Sequence, residues 1–143
     1  MGLLDRKVCL VTGAGQGLGR SISLEMAREG AEVVLLERNA KTLEAVAAEI
    51  AATGRKAHHF VLDVTDYDRY GAIVDEVARK LGRIDVLVNN AAINPATRTI
   101  LSDTLEEWRQ TIAINLEAVY MGSKLVAQKM VKQESGRIIH IAS

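Results

Sequence analysis

Between the apolar run Val8-Cys9-Leu10-Val11 and a helix-patterned segment stands Thr12-Gly13-Ala14-Gly15-Gln16-Gly17-Leu18-Gly19. Four glycines in seven positions leave a turn with almost no side chain. Backbone N–H groups in such a turn can face an anion, and the following helix points its positive dipole end at the same place. A strand, a bare turn and a helix in this order predict an α/β fold that grips the phosphates of a nucleotide.

The rest of the chain repeats the alternation. Short runs rich in Val, Ile and Leu recur at 8–11, 33–36, 60–62, 86–88 and 138–141. Such runs suit parallel strands buried on both faces. Helical patterns lie between them. Leu18, Ile22 and Met26 make one stripe, ended by Gly30. Asn39 and Asp66 are placed to cap two more helices, with Leu43, Val46, Ala47 and Ile50 inward in the first. Tyr70, Ile73, Val77 and Leu81 face inward in the second, which ends at Gly82. Thr104-Leu105-Glu106-Glu107 reads as a capping box for a long helix running toward Met130. Strand and helix alternation implies right-handed βαβ units and a doubly wound parallel sheet of five strands.

Composition removes other classes. A chain of 143 residues is one domain with room for a core. Lys plus Arg equals Asp plus Glu, and no basic stripe argues for nucleic acid. The single Cys9 lies in the first strand run, as a buried core thiol would, and fits a reducing compartment. Residues 1–6 are short and charged, unlike a signal peptide. No apolar run approaches the ~20 residues of a membrane helix. The expectation is a soluble, cytoplasmic protein with no membrane partner and no metal site.

In such a sheet the ligand lies beyond the carboxyl ends of the strands. The glycine turn follows the first strand, Glu37 and Arg38 the second, and Asp63 the third. Asn89-Asn90-Ala91-Ala92 follows the fourth, and Ser143 the fifth. Glu37 comes eighteen positions after Gly19, near the ~20 expected of the acid that holds the adenosine ribose. A carboxylate there repels a 2′-phosphate, and Gln16 brings no positive charge, so NAD is favoured. Arg38 keeps NADP possible. Asp63 reads equally as a turn former or as an acceptor for the adenine amine. In the long helix Asn115 falls on the stripe of Trp108, Ile112, Val119, Gly122 and Val126, so it is expected buried and in need of a partner.

The glycines fit T-G-x-x-x-G-x-G, through Gly13, Gly17 and Gly19, rather than G-x-G-x-x-G. A G-x-G-x-G reading, through Gly13, Gly15 and Gly17, fits as well. With an acid after the second strand, that reading matches an S-adenosylmethionine methyltransferase. A non-catalytic nucleotide-binding module is a further alternative.

Taken in order, Thr12-Gly13-x-x-x-Gly17-x-Gly19, Asp63-Val64, Asn89-Asn90-Ala91, Asn115 and Gly136-Arg137-Ile138-Ile139-His140-Ile141-Ala142-Ser143 resemble the short-chain dehydrogenase/reductase family. Ala92 departs from the Gly usual there, which is tolerable if the backbone needs no positive φ. The resemblance implies a Rossmann-type domain over residues 1–143, incomplete at its C-terminal end, with the last strands missing. It implies an NAD(P)-dependent oxidoreductase acting on an alcohol or carbonyl compound, assembled as a dimer or tetramer through the long helix. Thr12, Gly13, Gly15, Gln16, Gly17, Leu18 and Gly19 would shape the pyrophosphate turn. Glu37 and Arg38 would meet the ribose, Asp63 and Val64 the adenine. Asn89 and Ala91 would flank the cofactor, with Asn89 steadying the central strand. Asn115 matches the Asn that holds a water in the proton relay, and Ser143 the Ser that bonds the substrate carbonyl. Asn94, Thr97 and Arg98 are candidate substrate contacts. The family's acid/base pair is a Tyr-x-x-x-Lys downstream of the Ser. Here the pattern occurs only at Tyr120 and Lys124, upstream of it, and is read as coincidence. The chain is therefore expected to be part of a longer enzyme and inactive or nearly so as it stands.

Overall fold

The computed structural model describes residues 2–94 and 99–142. Five strands, β1 (Val8–Thr12), β2 (Glu32–Glu37), β3 (Ala57–Val61), β4 (Val86–Asn89) and β5 (Arg137–His140), form one sheet in the order β3-β2-β1-β4-β5. Every pairing is parallel. The order reverses between β1 and its two neighbours, which opens a crevice beyond the carboxyl ends of β1 and β4.

Side chains alternate along the strands and build two cores. Val8, Leu10, Val34, Leu36 and Leu87 face α3 (Tyr67–Leu81), where Tyr70, Ile73, Val74 and Val77 are buried. Val126 and Met130 of a later helix complete that layer. Cys9, Val11, Val33, Leu35, Val86 and Val88 face the opposite layer, with Ala27 of α1 (Gly17–Arg28) and Leu43, Val46, Ala47 and Ile50 of α2 (Ala40–Ala52). Cys9 is fully buried, and burial pushes its thiol up to about 12, so it is an inert core residue.

The local stop and start signals work as chemistry requires. Asn39 Oδ1 accepts from Lys41 N and Thr42 N, and Asp66 Oδ1 from Arg69 N. Gly82 closes α3 in the left-handed region at φ 77°. Thr104 and Glu107 cap each other at the start of α4 (Leu105–Ile112).

Three expectations need correction. The buried face of α1 is Gly19, Ser23 and Ala27, while Leu18 is 54% exposed. The helix is turned by one residue because small side chains let it lie close against the sheet. β3 begins three residues before its apolar run, since this edge strand admits half-exposed His58, which pairs with Glu32 at 2.7 Å. Leu62 is buried but lies past the strand.

The long helix is not regular. Between α4 and α5 (Ala118–Lys132) lies a π-helical turn, Ala113–Glu117, where Ala118 N–H donates to Ala113 O five residues back. The wide turn shifts the register. Ile114, Ala118, Gly122, Val126 and Met130 are buried, whereas Trp108 is 56% exposed and Asn115 is also exposed. Among the described residues no helix is long and apolar enough to cross a membrane.

Candidate functional site

The site is built where the chain leaves β1 and β4. Thr12, the last residue of β1, is buried, and its Oγ1 accepts from Asn90 N and Ala91 N at 3.0 Å each. The same hydroxyl donates to Val88 O at 3.4 Å. Asn90 Nδ2 answers by donating to Thr12 O at 3.0 Å and Gly13 O at 3.2 Å. The two turns thus clamp each other without help from any charged group.

Glycine is demanded here by space and by backbone. Gly13 stands at φ 64°, and a Cβ on Gly19 would collide with Gly13 O and Asn90 Nδ2. α1 then begins with its first N–H groups free of a side-chain cap. Gln16, at the cap position, makes no such bond, and no acid lies in the first turn. An uncapped, uncompensated helix start aimed into a crevice attracts negative charge.

A cleft of about 290 Å³ opens over this turn. Gly13, Gln16, Gly17, Leu18 and Gly19 line one side, and Glu37, Arg38, Asp63 and Val64 another. Asn90, Ala91 and Ala92 close the end toward β4. Thr12 and Gly15 do not face the cleft. Thr12 acts from beneath through its hydroxyl, and Gly15 is buried against Thr42 and the Glu37 side chain.

Glu37 is fixed at the rim by backbone donors. Its Oε1 accepts from Arg38 N at 2.8 Å and Asn39 N at 3.1 Å, and its Oε2 from Gly15 N at 3.4 Å. Asp63 forms the turn expected of it. Thr65 N and Thr65 Oγ1 donate to its Oδ1 at 3.0 and 2.7 Å. The Thr65 N–H, then its hydroxyl, hold the Asp63 carboxyl below the usual carboxylate range. Asp63 also lines the cleft, so forming this turn leaves it at the cleft wall.

Asn89 steadies β4 from behind the cleft. It is the last residue of β4, is buried, and points away from the glycine turn. Its Nδ2 donates to Ser123 Oγ at 3.1 Å and meets His140 Nδ1 at 3.2 Å, tying β4 to α5 and β5. It steadies the sheet but does not line the cleft; Asn90 does both jobs at the turn. Strand alternation carries the signal that separates them. Val88 faces the α1 side and Leu87 the α3 side, so Asn89 falls with Leu87 and Asn90 with Val88.

Asn115 finds its partner outside the core. Its Oδ1 accepts from Ile93 N at 2.9 Å and its Nδ2 donates to Ile93 O at 2.8 Å. The π turn therefore pins the segment after β4, and its Ile114 lines the cleft. Single π turns inside α-helices gather at functional sites. Ala92 has no positive φ, so its methyl is accommodated. Tyr120 and Lys124 stack on each other, the ammonium 6.0 Å from the ring centroid, and neither lines the cleft. Ser143, Thr97 and Arg98 lie outside the described residues.

Comparison with known proteins supports the geometry. The family described as short chain dehydrogenase matches residues 7–143. A 3-oxoacyl-[acyl-carrier-protein] reductase of Thermotoga maritima is 39% identical over 142 residues, covering 98% of this chain and 56% of that protein. Cyclopentanol dehydrogenase of a Comamonas species is 38% identical over 144 residues, covering 100% and 57%. Among solved structures, NAD+-bound xylitol dehydrogenase superposes with a TM-score of 0.95 at 35% identity, covering 99% of this chain and 54% of that one. A metagenomic short-chain oxidoreductase in complex with NADP gives 0.93 at 36% identity, covering 98% and 63%. The chain thus spans a little over half the length of these two curated relatives.

Proposed function

The chain belongs to the short-chain dehydrogenase family, and from that premise we propose that it binds a nicotinamide dinucleotide across the cleft, NAD in preference to NADP. Family membership decides against the methyltransferase reading of the same glycines. The observation that carries the proposal is the bare cradle over the start of α1. Gly17 stands at φ 53° with nothing within 4 Å of where a Cβ would be, so a side chain there would fill the space left for the phosphates. One relative is known with NAD+ bound and another with NADP, which supports the cofactor class and leaves the preference to this chain's own residues.

Each residue receives a task in this reading. Gly13, Gly15, Gln16, Gly17, Leu18 and Gly19 form the pyrophosphate turn, and Thr12, Asn90 and Ala91 hold its shape. Glu37 accepts from the ribose hydroxyls and repels a 2′-phosphate; Arg38 stands beside it. Asp63 and Val64 meet the adenine. Asn89 braces the sheet behind the site. When bound, the dinucleotide supplies the hydride acceptor or donor. Asn115 fixes the Ile93 segment at the nicotinamide end and belongs to the proton relay. Ser143 bonds the oxygen of an alcohol or carbonyl substrate, with Asn94, Thr97 and Arg98 as further contacts.

Proton transfer by a positioned group is worth about 10²–10⁴-fold. The chain's Tyr-x-x-x-Lys match, Tyr120 and Lys124, lies outside the cleft, so we do not assign it the acid/base role. Exposed Leu105, Trp108, Leu116 and Tyr120 along α4, the π turn and α5 support assembly into a dimer or tetramer. A reducing, cytoplasmic setting suits the single buried thiol.

Titration calorimetry with NAD and NADP, followed by NADH absorbance with a panel of alcohols and ketones, tests the proposal. The expected result is saturable binding, several-fold tighter for NAD, with any absorbance change unaltered by Tyr120→Phe. Absence of binding to either dinucleotide overturns the cofactor assignment. Turnover abolished by Tyr120→Phe overturns the exclusion of Tyr120 from the acid/base role.

A further inference from the structure

Tyr70 lies near the start of α3 and is completely buried. Its ring packs on Gly122 of α5. A Cβ built on Gly122 would stand 2.7 Å from Tyr70 Oη and 2.9 Å from Cε1, so the glycine is the hole that the ring fills. The hydroxyl is buried too, yet no protein group bonds to it. Phenylalanine would fill the same hole without that burden, because a buried hydroxyl without a partner destabilises a fold. Burial also pushes the hydroxyl's pKa up, so it remains a neutral donor.

Beside it is a cavity of about 10 Å³, walled by Tyr70, Thr12, Asn89, Ala91, Ile114 and Ala118 among others. That volume matches the space one water molecule occupies. The polar inventory selects its partners. The Thr12 hydroxyl already accepts two N–H groups and donates to Val88 O. Asn89 spends its Nδ2 on Ser123 and His140, leaving Oδ1 as an acceptor. Val64, Ala91 and Ile114 wall both this cavity and the larger cleft, so the two adjoin.

We propose that this cavity is a binding site for one ordered water, which accepts from the Tyr70 hydroxyl and donates to Asn89 Oδ1. The water joins α3 to the end of β4 and backs the π turn that carries Asn115. Tyr70 and Gly122 are then a matched pair, one supplying the donor and the other the room for it.

Tyr70→Phe in the full chain tests this by the sign of its effect. It keeps the ring and removes the donor. The expected result is a Tm lowered by about 3–6 °C. Water ¹⁷O relaxation dispersion should also count one fewer long-lived internal water than in the parent. Both results are required. An unchanged or raised Tm, as expected for a hydroxyl with no partner at all, overturns the proposal. A lowered Tm with an unchanged water count overturns it as well.

Discussion

Asp85 and Glu37 stand at opposite ends of the same parallel sheet, and they are satisfied in opposite ways. Asp85 lies at the amino end, just before β4, and is only 5% exposed. Its oxygens accept from Lys7 Nζ at 3.2 Å, Val8 N at 3.0 Å, and Arg83 Nε and a terminal guanidinium nitrogen at 2.7 and 2.5 Å. Gln133 seals the same end through Ile84 N and Ile84 O. Glu37, at the carboxyl end, takes only backbone N–H donors and remains open to the cleft. The amino end has spent its polar groups on itself. The carboxyl end has kept an acid, a glycine turn and a helix start available, which is where an open α/β sheet places ligands.

The largest effect should come from the open end. Gly19→Ala drives a methyl group into Gly13 O and the Asn90 amide, so the clamp between the two turns must open. Overpacking of this kind costs about 1–3 kcal/mol of stability. The turn is also the proposed phosphate grip, so NAD affinity by calorimetry should fall about 100-fold, or about 2.7 kcal/mol. A variant that melts earlier but binds NAD as before would remove the glycine turn from the site.

The sealed end predicts the reverse pattern. Asp85→Ala leaves the Val8 N–H buried without its acceptor, a loss of about 1–3 kcal/mol. NAD affinity should stay within about twofold, because nothing at that end faces the cleft. Acid should act the same way. Burial by itself raises the Asp85 pKa, but the bonds from Arg83, the Val8 N–H and Lys7 outweigh it, and the folded value is lowered. Its contribution is therefore complete above the ordinary Asp value of about 3.9 and is lost as pH falls through the lower folded value. Chemical denaturation from pH 6 downward should show the parent losing this stability below about pH 4 and the variant lacking that component. A variant whose NAD affinity fell in parallel with its stability would dissolve the division between the two ends.

Signals confined to a few residues were legible in the sequence. Asn39, Asp66, Gly82 and the Thr104–Glu107 box act within one turn of the chain, so their chemistry needs no knowledge of the fold. The glycine turn and the acid at Glu37 were legible for the same reason, as was Asp63 with its Thr65. What the sequence hid depends on close approach. The buried face of α1 is Gly19, Ser23 and Ala27, and a search for large apolar residues turns that helix the wrong way. Asn115 lies off the buried stripe because the π turn breaks the 3.6-residue count that predicts its burial. Asn90 and Asn89 look alike as neighbours in the sequence, and only period-two alternation along β4 separates them. Ile114 enters the cleft wall only through the wide π turn, and no local pattern marks it.

The smallest effect sharpens the comparison at the open end itself. Glu37→Gln keeps an oxygen for Gly15, Arg38 or Asn39 N–H but removes the charge. If the carboxylate is there for a ribose, its loss should weaken NAD only a few-fold, since a neutral acceptor remains. The same change removes the repulsion of a 2′-phosphate and leaves Arg38 at the cleft rim to pair with it. NADP should then bind about tenfold better, or about 1.4 kcal/mol, so the ratio of the two dissociation constants is the quantity to measure. A ratio that does not move would make Glu37 a structural carboxylate like Asp85, and the open end would lose one of its charged readers.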